Sequence, residues 1–139
     1  MSHASQQIRD WFVTKLTGVG GLPGAVEGYP RQIAAGATAC VVTCGTELIQ
    51  RTTLHEPPID SRDLAVLVVV IAGTLDAADA LSLIVEETLA AATGFPGKDF
   101  ELAQREYQEN VDTDRDYVAV VITYNAAYYV VRTDVETFK

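Results

Sequence analysis

Cysteine and histidine are scarce in this chain of 139 residues, with two of each. His3, Cys40, Cys44 and His55 include no Cys-x₂-Cys or His-x₃-His pair, so zinc-ligand spacing is absent and no metal or cofactor is expected. Cys40 and Cys44 in one strand would share a face about 13 Å apart. A disulfide needs Cα atoms within about 7 Å. The count excludes a secreted disulfide scaffold and points to a reducing compartment, with both cysteines as buried structural residues. Two isolated histidines also leave little for a nucleophile–base–orienter arrangement, so no enzyme is expected. Basic charge is short as well: ten Lys and Arg against 19 Asp and Glu give a net charge of −9, with no basic run. That argues against gripping nucleic acid or an anionic membrane by attraction. Long apolar runs are missing too. The longest, Leu64 to Ala72, has nine residues, whereas a transmembrane helix needs about 20. The opening Met1-Ser2-His3-Ala4-Ser5 has neither the positive nor the apolar region of a signal peptide.

What is present is apolar residues, at 48% of the chain, enough for one domain over residues 1–139 with its own core. Ser5 to Leu16 predicts a helix with Ile8, Phe12, Leu16 and Val19 on one face and Trp11 at its edge. Lys15 falls inside that stripe and must snorkel. Gly18, Gly20, Gly21, Pro23 and Gly24 form a connector. Ala25 to Tyr29 predicts a short strand, and Thr38 to Thr53 one bent strand or a hairpin broken near Gly45. Thr52 to Ser61, with Pro57-Pro58, reads as an exposed loop. Arg62 to Ala72 is apolar on both alternations, the pattern of a strand buried on both faces.

A helix of about 19 residues follows, N-capped by Thr74 and ended by Gly94 at C′. Ala77, Ala78, Leu81, Ile84, Val85, Thr88, Leu89 and Ala92 form its apolar arc. Asp76, Asp79, Ser82, Glu86 and Glu87 form its polar arc. Phe100 to Val111 and Tyr117 to Thr133 make a closing hairpin around the charged turn Asp112 to Asp116. The expected fold is α+β: a single mixed or antiparallel sheet carrying two main helices, in the order α-β-β-β-α-β-β.

Motifs that carry chemistry fail on context. Gly18-Val19-Gly20-Gly21 follows a helix, whereas a dinucleotide loop follows a strand and opens a helix. Asp112, Asp114 and Asp116 begin like a calcium loop, but Tyr117 and Thr123 stand where Gly and Glu are required. Surface apolarity is more informative. Leu83 interrupts the acidic helix arc. Tyr124, Tyr128, Tyr129, Val130 and Val131 continue the last strand past the expected end of its partner, which suggests an interface.

Four stretches taken together resemble the tail terminator (minor tail protein U-like) family of long-tailed bacteriophages. They are Gln6 to Val13; Ala39 to Thr46 followed by Glu47; Arg62 to Leu89, with Thr74-Leu75-Asp76-Ala77-Ala78-Asp79-Ala80-Leu81 at its junction; and Arg105 to Asp112 leading into Val118 to Tyr124. The resemblance covers nearly the whole chain through order, spacing and length. It implies a small α+β subunit, usually in a hexameric ring that caps the tail tube, stops its polymerisation and offers the head-joining surface. It brings no catalytic residues.

The implied partners are further copies of the chain, the tail tube protein and a head–tail connector or completion protein, with DNA passing through unbound and no membrane. The implied location is the virion tail, assembled in the host bacterial cytoplasm. Candidate contact residues are Arg51, His55, Glu56 and Arg62 around the proline loop, with Leu83, Tyr124, Tyr128 and Tyr129. Candidate acidic lumen groups are Asp76, Asp79, Glu86, Glu87, Asp112, Asp114 and Asp116. The alternatives are a head–tail joining or tail completion protein and, from another class, a regulatory α+β domain that binds a small molecule near the Gly18 to Gly24 loop.

Overall fold

The computed structural model describes residues 4–21, 25–27, 38–52, 59–111, 116–131 and 134–138. The elements run α1 (Ala4–Leu16), β1 (Ala25–Glu27), β2 (Ala39–Thr52), β3 (Ile59–Ala72), α2 (Leu75–Ala91), β4 (Asp99–Val111), β5 (Asp116–Val131) and β6 (Asp134–Phe138). Among the described residues the strands form one sheet in the order β1-β2-β3-β5-β4, with β6 also pairing β5. β1 is parallel to β2, and every other pairing is antiparallel. The fold is α+β as expected, with β6 as an additional strand.

β3 and β5 are the centre of the sheet because their alternation is apolar on both faces. On one face Leu64, Val66, Val68 and Val70 meet Val118, Val120, Ile122 and Tyr124. Both helices cover this face: α1 contributes Ile8, Phe12 and Leu16, and α2 contributes Ala78, Leu81, Val85 and Leu89. On the other face Val41, Val69, Ile71, Ala119 and Val121 form a second buried cluster. The continuous run in β3 is therefore buried on both sides, as its composition requires.

Several local expectations hold. Thr74 is extended, and its hydroxyl accepts the Ala77 N–H at 3.2 Å, which caps α2. Lys15 snorkels, its ammonium 5.8 Å from the centre of the Trp11 ring. Trp11 and Phe12 meet Phe95 and Phe100 edge to face, so α1 is tied to the start of β4 by an aromatic cluster. Gly97 lets the chain enter β4 closely. A Cβ there would lie 2.8 Å from the Ala127 carbonyl, and the next residue, Lys98, donates its N–H to that same oxygen. Cys40 and Cys44 both pack on the helix-covered cluster. Cys40 is buried, which pushes its thiol up to about 11, while Cys44 is half-buried.

Other expectations are corrected. α2 is 17 residues long and ends at the cap Ala92, whose N–H donates to the Leu89 carbonyl. Gly94 has a left-handed φ of 81°, yet it lies two residues past that cap. Residues 39–52 form one strand with an irregularity between Cys44 and Glu47, which is the single-strand alternative of the expectation and not the hairpin. The proline loop is shorter than expected, because Ile59, Asp60 and Ser61 already belong to β3. They pair with Thr52, Arg51 and Gln50 on one side and with Val131, Val130 and Tyr129 on the other. β3 thus accompanies β5 to its end.

Candidate interaction surfaces

That longer pairing changes the status of the tyrosines. Tyr124 and Tyr128 are 4% and 1% exposed, packed within the subunit and not projecting from it. Burial, with the Glu86 carboxylate second, pushes the Tyr124 phenol up to about 12. Tyr129 lies on the opposite face and stays half-buried, its hydroxyl accepting from the Lys98 ammonium at 3.3 Å.

Arg62 is also interior. Strand register puts it between Ile49 of β2 and Tyr128 of β5. Its guanidinium lies 3.5 Å from Asp60 and 3.9 Å from Glu47, and the Tyr128 hydroxyl donates to Glu47. Arg62 cannot serve as the exposed base of a docking loop, since it is the cation of a buried polar cluster. Arg51 is exposed on β2 beside that cluster, while His55 and Glu56 lie outside the described residues.

The acidic helix arc divides in two. Asp76 and Glu87 are exposed. Asp79 and Glu86 instead face β4, where Arg105 stands 3.7 Å from Asp79 and 3.5 Å from Glu86. Arg105 also donates to the Ser82 hydroxyl at 2.7 Å, and Ser82 in turn donates to the Asp79 carbonyl. Ser82, expected on the solvated arc, is fully buried by this contact. The Tyr107 hydroxyl donates to Asp79 at 2.8 Å, which raises its phenol above the ordinary value. Asp79 and Glu86 are thus partly neutralised, and their freedom to form an open acidic wall is reduced. Asp112 and Asp114 lie outside the described residues. Asp116 opens β5 and is not part of the turn.

Among the described residues two exposed sheet edges remain. β4 is an outer strand, and every residue from Glu101 to Gln108 is exposed, including Leu102 and Tyr107. Beside it a groove of about 590 Å³ runs between β4 and the end of α2, lined by Leu89, Ala90, Phe100, Leu102 and Tyr124 with Glu86 and Glu101. On the far side of the sheet β1 pairs only Cys40 to Val42 of β2. Beyond the bend, Leu48 and Ile49 are 67% and 52% exposed. Neither edge was recognised in the sequence. The signal available was that apolar Leu48 and Ile49 precede Gln50 and Arg51 in a strand with no predicted outer neighbour. Leu83, expected at the surface, is indeed exposed on α2.

Among the described residues no group of three or more His, Cys, Asp or Glu could hold a metal ion, and no helix is long and apolar enough to cross a membrane. No protein-family model matches the sequence, and no curated protein matches it either.

Proposed function

We propose that this chain is a structural subunit of a phage tail, a tail terminator that assembles into a ring of about six copies. In this reading the ring caps the tail tube, stops its growth and presents a surface to the head. The observation that supports it is the pair of exposed, dissimilar sheet edges. A ring requires each subunit to meet its neighbours through two different surfaces, and an open sheet supplies two. The resemblance in four ordered stretches supplies the identity of the assembly. Its location is then the virion tail, with assembly in the host bacterial cytoplasm, and its partners are the tube protein and a head–tail connector.

The net charge of −9 fits a conduit, because DNA moving through a lumen must not adhere to its wall. Exposed Asp76 and Glu87 are the described groups best able to contribute there.

Size-exclusion chromatography with light scattering tests the reading. The expected result is a ring near six subunits, at high concentration or with tube protein present, and no retention on duplex DNA at physiological salt. A protein that stays monomeric throughout, or that binds DNA tightly and salt-sensitively, contradicts it. The groove beside β4 has the volume of a small-molecule site and favours the regulatory-domain reading as the alternative. Metabolites that raise the melting temperature of a monomeric or dimeric protein would support that alternative.

A further inference from the structure

We infer that neighbouring copies join edge to edge, the β4 edge of one subunit pairing antiparallel with the free half of β2 of the next, so that one sheet runs on through the assembly. The inference rests on the ring reading above and deepens it by naming the two surfaces.

Three features of the sheet lead to it. The first is direction. β2, β3, β5 and β4 are successively antiparallel, so β2 and β4 run in opposite directions. A rotation about an axis along the strands preserves strand direction and keeps the helices on the same side. It therefore brings β4 against the next β2 as an antiparallel pair, the geometry in which two open edges share backbone hydrogen bonds.

The second is height. A cyclic rotation does not shift a subunit along its axis, so the two edges must be available at the same level. They are: Glu47 stands in one row with Leu64, Ala126 and Phe100, and Leu48 in the next row with Asp63, Ala127 and Asp99. Thr43 to Leu48 of β2 thus lie level with the first residues of β4, Asp99 to Gln104, where the apolar groove opens, while Arg51 and Thr52 lie level with β6. Above it, β1 covers β2.

The third is charge and apolarity. β4 carries Asp99, Glu101, Glu106 and Glu109 against Arg105, which itself is engaged by Asp79 and Glu86. Two β4 edges meeting about a two-fold axis would set these carboxylates against each other, and like charges opposed across strands are destabilising. At this level of the β2 edge, from Thr43 to Leu48, the one carboxylate is Glu47, and it is turned inward to Arg62 and Tyr128. Leu48 brings exposed apolar surface to this level, and exposed Leu102 of β4 stands in the row of Cys44.

Leu48 and Glu101 are both exposed, and register places both on the face away from the helices. In a Cys44→Ser background, Leu48→Cys and Glu101→Cys are made as separate proteins, mixed at assembling concentration and treated with a short bismaleimide. The expected result is a covalent dimer in the mixture and none with either protein alone. A chain carrying both substitutions should give a ladder ending at the ring size. Cross-linking of Glu101→Cys alone, or of Leu48→Cys alone, shows a two-fold contact and overturns the inference. So does the absence of cross-links in material that light scattering shows to be assembled, an outcome that leaves the ring reading standing. A protein monomeric at all concentrations overturns both. As a second measurement, Leu102→Glu should raise the concentration for half-assembly at least tenfold while leaving the circular dichroism and melting temperature of the subunit unchanged. Unchanged assembly overturns the inference.

Discussion

Arg62 shows most clearly what a single residue does in this fold. It sits in the central strand with its side chain 9% exposed, and Asp60 and Glu47 flank it at 3.5 and 3.9 Å. Its Nε has no hydrogen-bond partner among the described residues, so the site is incompletely satisfied even with both carboxylates present. Such a cluster adds little net stability over an apolar one, but removing its cation leaves the buried Asp60 and the half-buried Glu47 without it. Arg62→Met should therefore destabilise the subunit by about 3–5 kcal/mol, the cost of breaking a buried ion pair from one side. Urea unfolding followed by circular dichroism measures this directly. A loss below about 1 kcal/mol would place Arg62 with ordinary surface ion pairs. None of this was visible in the sequence, where Arg62 opens a predicted strand at the base of the proline loop. Its partners come from Glu47 on a neighbouring strand and Tyr128 on another, and only long-range register brings them together.

At the scale of elements, legibility follows whether the determining contacts are local. The start of α2 was readable because a cap is made within four residues: Thr74 accepts from Ala77, and Asp76 sits in the first turn near the positive end of the dipole. Thr74→Ala should cost about 1 kcal/mol, the usual value of an N-cap side chain, and lower the melting temperature by a few degrees. Thr74→Ser should restore most of it, because Ser keeps the accepting oxygen. The alternation of β5 was readable for the same reason. Val118, Val120, Ile122 and Tyr124 share one face whatever lies beside them. The polar arc of α2 was misread because its fate depends on another element. Arg105 of β4 folds over Ser82, Asp79 and Glu86 and turns a nominally solvated face into a partly covered one. The beginning of β3 was misread likewise. Pro57-Pro58 marks a loop correctly, but how far the loop extends is decided by pairing with β2 and β5, which continues to Ile59.

For the whole molecule, the net charge of −9 acts on assembly as well as on DNA. Two such subunits with centres about 35 Å apart repel by roughly 10 kcal/mol in pure water, treated as point charges at the dielectric constant of the solvent. With a Debye length of about 30 Å at 0.01 M salt, roughly 3 kcal/mol of that survives, and at 0.15 M, with about 8 Å, almost none does. Any short-range attraction between opposite charges at the contact has the opposite salt dependence, but exposed pairs contribute only about 0.2–1 kcal/mol each. Long-range repulsion wins, so salt should favour assembly. Raising NaCl from 0.01 to 0.15 M should strengthen subunit association by roughly two orders of magnitude, since each 1.4 kcal/mol is tenfold. Sedimentation velocity across that range at fixed protein concentration checks it, with the ring species growing as salt rises. The opposite trend, assembly lost on adding salt, would mean that opposed charges at the contact outweigh the global excess. Retention on DNA offers an internal comparison, because a protein that binds phosphate releases counterions and lets go as salt increases. In this subunit the same addition of salt should leave DNA unbound and draw the subunits together.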